Sequence, residues 1–138
     1  MADLVRFGVS LEKDLLSKFD QRIRSRNYTN RSEAIRDLIR EGLVKNEWRQ
    51  GKVVTGSINL VYDHHKRRLL NYLTDIQHEF HDDILSTQHI HLDHNNCLEI
   101  IVVKGAPRNI ESLYGKLNSV KGVKHASFAM STTGKDIV

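Results

Sequence analysis

Three residues of types that bind transition metals lie close together in the second half of the chain: His89, His91 and Cys97. The surrounding residues predict a strand, so the two imidazoles share one face, with Cα atoms about 6.7 Å apart. Cys97 follows a short polar turn at the start of the antiparallel neighbour, where its thiolate is expected to converge on the same face. Imidazole and thiolate suit zinc, copper or nickel, and the ligand types alone do not choose among them.

A fourth ligand would have to come from another element. The preceding predicted helix offers His78 and His81, which are three residues apart and therefore share one helical face. A planar set of four ligands would indicate Ni(II) or Cu(II), whereas a tetrahedral set would indicate zinc. The remaining histidines are weaker candidates, because exposed histidines are usually only solvated: His64, His65, His94 and His125.

Motifs that usually mark a catalytic site are absent from the sequence. It lacks a nucleophile elbow, a phosphate-binding glycine loop and the HExxH pattern of zinc hydrolases. Catalysis by Cys97 with a histidine base is a formal alternative, but two histidines on the neighbouring strand look like ligands. We therefore expect a binding protein and not an enzyme.

Composition and charge narrow the class of protein further. The 138 residues suffice for one ordinary domain or two small ones, and the formal net charge of +4 is compatible with a polyanionic partner. A single cysteine excludes an intrachain disulfide. No apolar run approaches the roughly 20 residues that span a bilayer, and the N-terminus lacks a signal-peptide pattern. We therefore expect a cytoplasmic protein without a membrane partner.

The first 50 residues predict a short strand followed by two amphipathic helices. Alternation over Leu4–Ser10 indicates the strand, and Asn27 suits the left-handed conformation that ends a helix. Asn30 and Glu33 have the spacing of a capping box at the start of the second helix, which Gly51 should end. A lone strand leaves its backbone groups unpaired, so it must pair with another chain.

Two copies of this strand, paired antiparallel, would form a ribbon over a four-helix core. The apolar side of the strand, with Val5, Phe7 and Val9, would then point inward. The other side would point outward and fit a DNA major groove; it carries Arg6, Gly8 and Ser10.

The residues from 51 onward predict the order strand, helix, strand, strand, helix, strand. The strands are expected at Lys52–Tyr62, Thr87–Asp93, Cys97–Lys104 and Val123–Ser131, and the helices at Lys66–His81 and between Pro107 and Gly122. This order is the ferredoxin-like split βαβ pattern. We therefore expect an α+β protein with one domain at 1–50 and a ferredoxin-like domain at 51–138.

Several segments resemble the nickel-responsive regulator family of bacteria and archaea, in which a ribbon-helix-helix domain precedes a metal-binding, ACT-like domain. The resemblance covers essentially the whole chain. It is carried by RFGVSL at Arg6–Leu11, NRSEAIRDLIR at Asn30–Arg40, QH at Gln77 and His78, and HIHLDHNNCLEIIVVKG at His89–Gly105. The last of these segments is the specific one.

This resemblance implies a square-planar Ni(II) site, about one per chain. Its ligands would be His89, His91 and Cys97 of one chain and His78 of a neighbour. It also implies a homotetramer, a dimer of dimers, with dimerisation and DNA binding in residues 1–50 and metal binding and tetramerisation in residues 51–138. The implied function is nickel-activated binding to double-stranded operator DNA, as a repressor of nickel uptake genes.

The resemblance also assigns the DNA contacts. The base-reading positions fall on Arg6, Gly8 and Ser10, although family members commonly carry a hydroxyl residue where this chain has Gly8. Asn30 and Arg31, at the start of the second helix, are expected to bind phosphates.

Two further pairs of residues and two alternative functions complete the expectations. Glu33 and Asp37 match a site where the family can hold a potassium-like cation between the domains, with a solvated face as the alternative. Gln77 and Glu99 are predicted to hold the metal ligands by hydrogen bonds. The ACT-like half could instead sense an amino acid, which would make the protein a metabolite-sensing regulator. A nickel carrier would use the same ligands without needing the N-terminal strand and helices.

Overall fold

The computed structural model describes residues 3–138. In this part of the chain the helices are α1 (Lys13–Ser25), α2 (Arg31–Gln50), α3 (Arg67–Glu79) and α4 (Pro107–Asn118). The strands are β1 (Val54–Asp63), β2 (Ile84–His91), β3 (Asn96–Gly105) and β4 (Val123–Ser131). A single turn of 3-10 helix at His81–Asp83 joins α3 to β2. The chain divides into two compact units, residues up to Glu41 and residues from Gly42 onward.

The first unit contains α1 and the start of α2. Asn27 has a φ of 60°, the left-handed conformation predicted for it, just beyond the end of α1. Asn30 caps α2 as predicted, because its side-chain oxygen accepts a hydrogen bond from the backbone N–H of Glu33 at 2.9 Å. The carboxylate of Glu33, which in a complete capping box would bond to the backbone N–H of Asn30, pairs instead with Arg36 at 2.7 Å.

The strand predicted at Leu4–Ser10 is not formed in the single chain, where residues 3–12 belong to neither a helix nor a strand. Its apolar side chains are exposed, by 88% for Leu4, 85% for Val5, 69% for Phe7 and 60% for Val9. Together with side chains of α1 and α2 they line an open pocket of about 960 Å³. A strand requires a hydrogen-bonded neighbour, which residues 3–41 of one chain do not supply.

The second unit is an antiparallel sheet of four strands in the order β2-β3-β1-β4, with α3 and α4 packed on one face. This confirms the predicted α+β fold with a ferredoxin-like order. Alternate residues of β1 and β3 are buried beneath the helices. The core is formed by apolar residues of the two central strands and of the two helices: Val54, Ile58, Leu60, Tyr62, Cys97, Ile101, Val103, Leu69, Leu73, Ile110, Leu113 and Leu117.

The last turns of α2 pack within the second unit. Trp48 is buried in the same core, and its indole N–H donates a hydrogen bond to the carbonyl of Ser131 at 2.9 Å. The buried carboxylate of Glu47 accepts a hydrogen bond from the hydroxyl of Thr132 at 2.7 Å. Gly51, with a φ of 73°, follows the end of the helix as predicted. The C-terminal end of α2 is therefore fixed to the end of β4.

Candidate functional site

The candidate ligands on the sheet lie at one end of the pairing between β2 and β3. The register places His91 directly opposite Cys97, and His89 directly opposite Glu99. Opposite residues of an antiparallel pair project from the same face of the sheet. Cys97 and Glu99 are both buried, on the face that the helices cover. The structure therefore brings His89, His91 and Cys97 to one face of two neighbouring strands.

The buried carboxylate of Glu99 organises the surroundings of His89. It accepts hydrogen bonds from the hydroxyl of Tyr62 at 3.2 Å and from the side-chain amide of Gln77 at 2.9 Å. Nε2 of His89 lies 2.9 Å from Oε1 of the same carboxylate. Because a buried carboxylate is costly without such partners, these contacts hold Glu99 in place. Gln77 and Glu99 are thus bonded to each other, and Glu99 contacts a candidate ligand.

Tyr62 belongs to this cluster and was not among the residues predicted from the sequence. Its side chain is fully buried, it pairs with Cys97 in the register of β1 and β3, and its hydroxyl lies 3.5 Å from Nδ1 of His89. Burial raises the pKa of Tyr62, and the neighbouring Glu99 and Cys97 raise it further. The hydroxyl therefore stays protonated near neutral pH and acts as a hydrogen-bond donor.

His91 lies next to a second group of histidines. Its ring stacks on that of His64, with centroids 4.4 Å apart and planes within 5°. The rings of His64 and His65 are 4.2 Å apart, and those of His65 and His94 are 5.3 Å apart. Among the described residues, Nδ1 of His64 is buried without a hydrogen-bond partner. Burial lowers the pKa of His64, and the nearby His65 and His91 lower it further, which favours the neutral form of the ring.

His78, the predicted fourth ligand, lies on the exposed surface of α3. It lines an open pocket of about 260 Å³ together with Thr74, Gln77, His81 and Ile84. The structure does not bring it to the other three ligands within one chain. Over residues 3–138 of the single chain, no three His, Cys, Asp or Glu side chains converge to hold a metal ion.

The donor chemistry of the sheet nevertheless fits a late transition metal. Two imidazoles and one thiol share a face, and a carboxylate contacts Nε2 of His89. Metal-binding histidines almost always donate their other ring N–H to a carboxylate, a backbone carbonyl or water. A set of nitrogen and sulfur ligands suits nickel, copper or zinc.

The predicted DNA-binding residues all lie in the first unit. Three of them are exposed in the segment before α1: Arg6, Gly8 and Ser10. Arg31 forms two hydrogen bonds of 2.9 Å with the carboxylate of Asp20, and this contact lowers the pKa of Asp20. The side-chain oxygen of Asn30 is engaged as the cap of α2.

The two acids of the predicted cation site have partners within the first unit. Glu33 pairs with Arg36, and Asp37 accepts hydrogen bonds from the hydroxyl of Tyr28 at 2.6 Å and from Arg40 at 3.0 Å. The bond from Tyr28 lowers the pKa of Asp37. Both carboxylates therefore already have hydrogen-bond partners on neighbouring side chains. A cation bound between the domains stays a prediction.

Comparison with known proteins assigns both parts of the chain. Residues 55–131 match the family described as NikR C terminal nickel binding domain, and residues 5–45 match the family described as ribbon-helix-helix protein, copG family. A protein of Syntrophus aciditrophicus, named "Putative nickel-responsive regulator", is 59% identical over 98% of this chain and 98% of its own length. A protein of the same name from Chlorobium limicola is 55% identical over 97% of this chain and 100% of its own length. Another, from Pyrococcus furiosus, is 52% identical over 98% of this chain and 99% of its own length.

A distant solved structure shares the fold alone. An uncharacterized protein from Thermotoga maritima matches with a TM-score of 0.53 and 20% identity, over 57% of this chain and 98% of that one. Within residues 3–138, no helix combines the length and the apolar character needed to cross a membrane. The two matched families describe a regulator and not an enzyme. This chain belongs to the nickel-responsive regulator family, in which a ribbon-helix-helix region precedes a nickel-binding, ACT-like domain.

Proposed function

We propose that this protein is a repressor of nickel uptake genes that binds operator DNA when it holds Ni(II). The observation that carries the proposal is the placement of His89, His91 and Cys97 on one face of β2 and β3, in a chain of this family. Four ligands of this kind in a plane suit Ni(II) or Cu(II), and the match to a nickel-binding domain favours Ni(II). One ion per chain is expected, because each chain contributes one such set of ligands.

His89, His91 and Cys97 of one chain, with His78 of a neighbouring chain, would hold the metal. The bound ion would supply bonds that join side chains of two chains. For this, Cys97 must lose its thiol proton and the histidines must be neutral. The exposed position of His78 supports its use by a neighbour, since its side chain is accessible on α3.

Gln77 and Glu99 prepare His89 for this role. Glu99 contacts Nε2 of His89, so a metal would take the other ring nitrogen, Nδ1, in place of its 3.5 Å contact with the hydroxyl of Tyr62. Gln77 donates a hydrogen bond to the second oxygen of the Glu99 carboxylate and so limits its rotation. These contacts would restrict the orientation of His89 before a metal binds.

Residues 1–50 would dimerise and bind DNA, and residues 51–138 would bind metal and form a tetramer as a dimer of dimers. The exposed apolar side chains of the N-terminal segment support pairing with a second copy, because such side chains are normally covered by a partner. The outward side of the paired strands would place Arg6, Gly8 and Ser10 against the bases. Asn30 and Arg31 would bind the phosphates.

Nickel can activate DNA binding only if it binds the DNA-competent arrangement of the chains more tightly than the others. The coupling between the two ligands must then be reciprocal. Operator DNA should raise the affinity for nickel by the same factor by which nickel raises the affinity for DNA.

A titration with Ni(II), followed by visible and near-ultraviolet absorption, tests the metal site. A thiolate-to-nickel band should saturate at about one ion per chain and disappear in Cys97→Ala, but persist in His125→Ala, whose histidine lies on β4. Operator binding should then be measured with and without Ni(II) at one fixed salt concentration. Equal DNA affinity in both conditions, or a band that survives in Cys97→Ala, would overturn the proposal.

A further inference from the structure

We infer that Tyr62 is a positioning residue of the metal site, which holds Glu99 and, through it, fixes the ring of His89 for metal binding. The inference rests on the proposed function, since it concerns the same site. Tyr62 itself does not bind the metal. Its role is to set the direction of a carboxylate that in turn sets the direction of an imidazole.

The position of Tyr62 supports this role. It lies near the end of β1, directly opposite Cys97 on β3, and its side chain is fully buried. Cys97 is in turn opposite His91 on β2. Three adjacent strands therefore place Tyr62, Cys97 and His91 in one row on the same face of the sheet.

The distances decide how the hydroxyl acts. A tyrosine hydroxyl has one proton to donate. Its oxygen lies 3.2 Å from Oε1 of Glu99 and 3.5 Å from Nδ1 of His89, so the proton goes to the carboxylate. The same oxygen of Glu99 is 2.9 Å from Nε2 of His89. Tyr62 and His89 therefore share one acceptor, and the direction of the first bond constrains the second.

Gln77 cannot replace Tyr62 in this arrangement. The amide of Gln77 donates to Oε2, the other oxygen of the carboxylate. Without the hydroxyl of Tyr62, Oε1 would keep only its contact with His89. The carboxylate could then rotate about the hydrogen bond between Gln77 and Oε2. The ring of His89, more than half exposed, would then lose its single orientation.

The test compares Tyr62→Phe with Tyr114→Phe in the full-length protein. Both changes remove only a hydroxyl; that of Tyr114 donates to the carbonyl of Ala126 at 3.4 Å, on another part of the same domain. We expect nickel affinity, measured by competition with a chelator, to fall roughly 10- to 100-fold in Tyr62→Phe and to stay unchanged in Tyr114→Phe. Metal-free thermal unfolding should show that both variants are folded.

A second readout does not require metal. The ¹⁵N shifts of His89 in the metal-free wild type should show one neutral tautomer, and those of Tyr62→Phe should show a mixture. An even mixture in the wild type, or an unchanged tautomer in a folded Tyr62→Phe, would overturn the inference. So would an unchanged affinity in Tyr62→Phe when the wild type binds nickel, and this result would leave the proposed function intact. Absence of nickel binding by the wild type would overturn the proposed function and the inference with it.

Discussion

His91 and Cys97 face each other across the pairing of β2 and β3, so that two different strands each contribute a candidate ligand to the same row of the sheet. This relationship depends on the strand register, because a shift by one residue would move a side chain to the opposite face. The turn between the strands determines that register. The side chain of Asp93 within it accepts hydrogen bonds from the backbone N–H groups of Asn95 and Asn96, both at 2.8 Å.

Replacement of His91 by alanine should therefore weaken nickel binding strongly. Removal of a residue that only supports a ligand typically lowers metal affinity roughly 10- to 100-fold. Removal of a ligand itself should lower the affinity by at least as much. His94→Ala is the matched control, because His94 also contacts a neighbouring imidazole but lies in the turn. Isothermal titration with Ni(II) measures both. Equal affinities for the two variants would show that His91 is not a ligand.

Removal of the hydrogen-bonded pair beneath His89 should weaken nickel binding without abolishing it. We expect roughly a 10- to 100-fold loss of affinity in Gln77→Ala and in Glu99→Gln, since each change frees the orientation of a ligand. Gln88→Ala is the control, because Gln88 neighbours His89 on β2 but alternates to the other face. Competition with a chelator measures the affinities. A loss of equal size in Gln88→Ala would point to a general effect on β2.

Much of the fold was predictable because its signals are local. Alternation, helical spacing and terminal residues such as Asn27, Asn30 and Gly51 predicted the helices and strands of residues 13–138 to within a few positions. The predicted start of β2, Thr87, lies later in the chain than the observed start, Ile84. Residues 84–86 lack a clear alternation, and the strand is held there by pairing with β3. The strand predicted at Leu4–Ser10 is not formed in the single chain, and its pairing with a second chain stays a prediction.

The site was less predictable, because it depends on contacts between residues far apart in sequence. The spacing of His89, His91 and Cys97 placed them on one face, as the register shows. Tyr62 joins them only because β1 lies beside β3, which the sequence of one strand does not reveal. The sequence makes His64 only a weaker candidate ligand, because exposed histidines are usually solvated. In the structure its ring stacks on that of His91.

The stability of the turn should depend on pH through Asp93. Hydrogen bonds, first from the side chain of Asn96 and then from the backbone N–H groups of Asn95 and Asn96, lower the pKa of Asp93 from 3.8 to about 2. Because the folded pKa is the lower one, the ionised carboxylate stabilises the folded state above about pH 4, and this contribution disappears as the pH falls through 2. Urea unfolding of Asp93→Asn should show reduced stability at pH 7 and convergence with the wild type near pH 2. A difference in the free energy of unfolding between the two proteins that stays the same at every pH would contradict this.

Two glycines should respond to alanine in opposite directions. Gly42 lies within α2, and a Cβ atom there would meet nothing within 4 Å, so Gly42→Ala should raise the free energy of unfolding by about 1 kcal/mol. A Cβ atom on Gly56 would lie 2.8 Å from the carbonyl oxygen of Ala129, so Gly56→Ala should lower it by about 1 to 3 kcal/mol. Urea unfolding of the metal-free protein, at one fixed protein concentration, measures both free energies of unfolding. Destabilisation by Gly42→Ala would mean that a partner chain packs against this position.

Arg6 and Arg31 should differ in how they affect DNA binding. An arginine that reads a guanine provides about 1 to 3 kcal/mol of discrimination between bases, whereas a phosphate contact strengthens binding to all sequences. Arg6→Ala should therefore reduce the ratio of operator to scrambled-DNA affinity in the presence of nickel. Arg31→Ala should weaken both and reduce the slope of the logarithm of affinity against the logarithm of salt concentration by about 1.

The ion pair of Arg31 with Asp20 adds a further comparison. If Arg31 must leave Asp20 to reach a phosphate, Asp20→Asn should strengthen binding to operator and scrambled DNA alike, since the guanidinium loses a competing carboxylate. In the double variant Asp20→Asn with Arg31→Ala, this gain should largely disappear, because the group that was released is absent. Fluorescence anisotropy at several salt concentrations measures all four proteins. A gain that persists undiminished in the double variant would assign the effect of Asp20 to its negative charge alone, and would contradict a competition between Asp20 and a phosphate for Arg31.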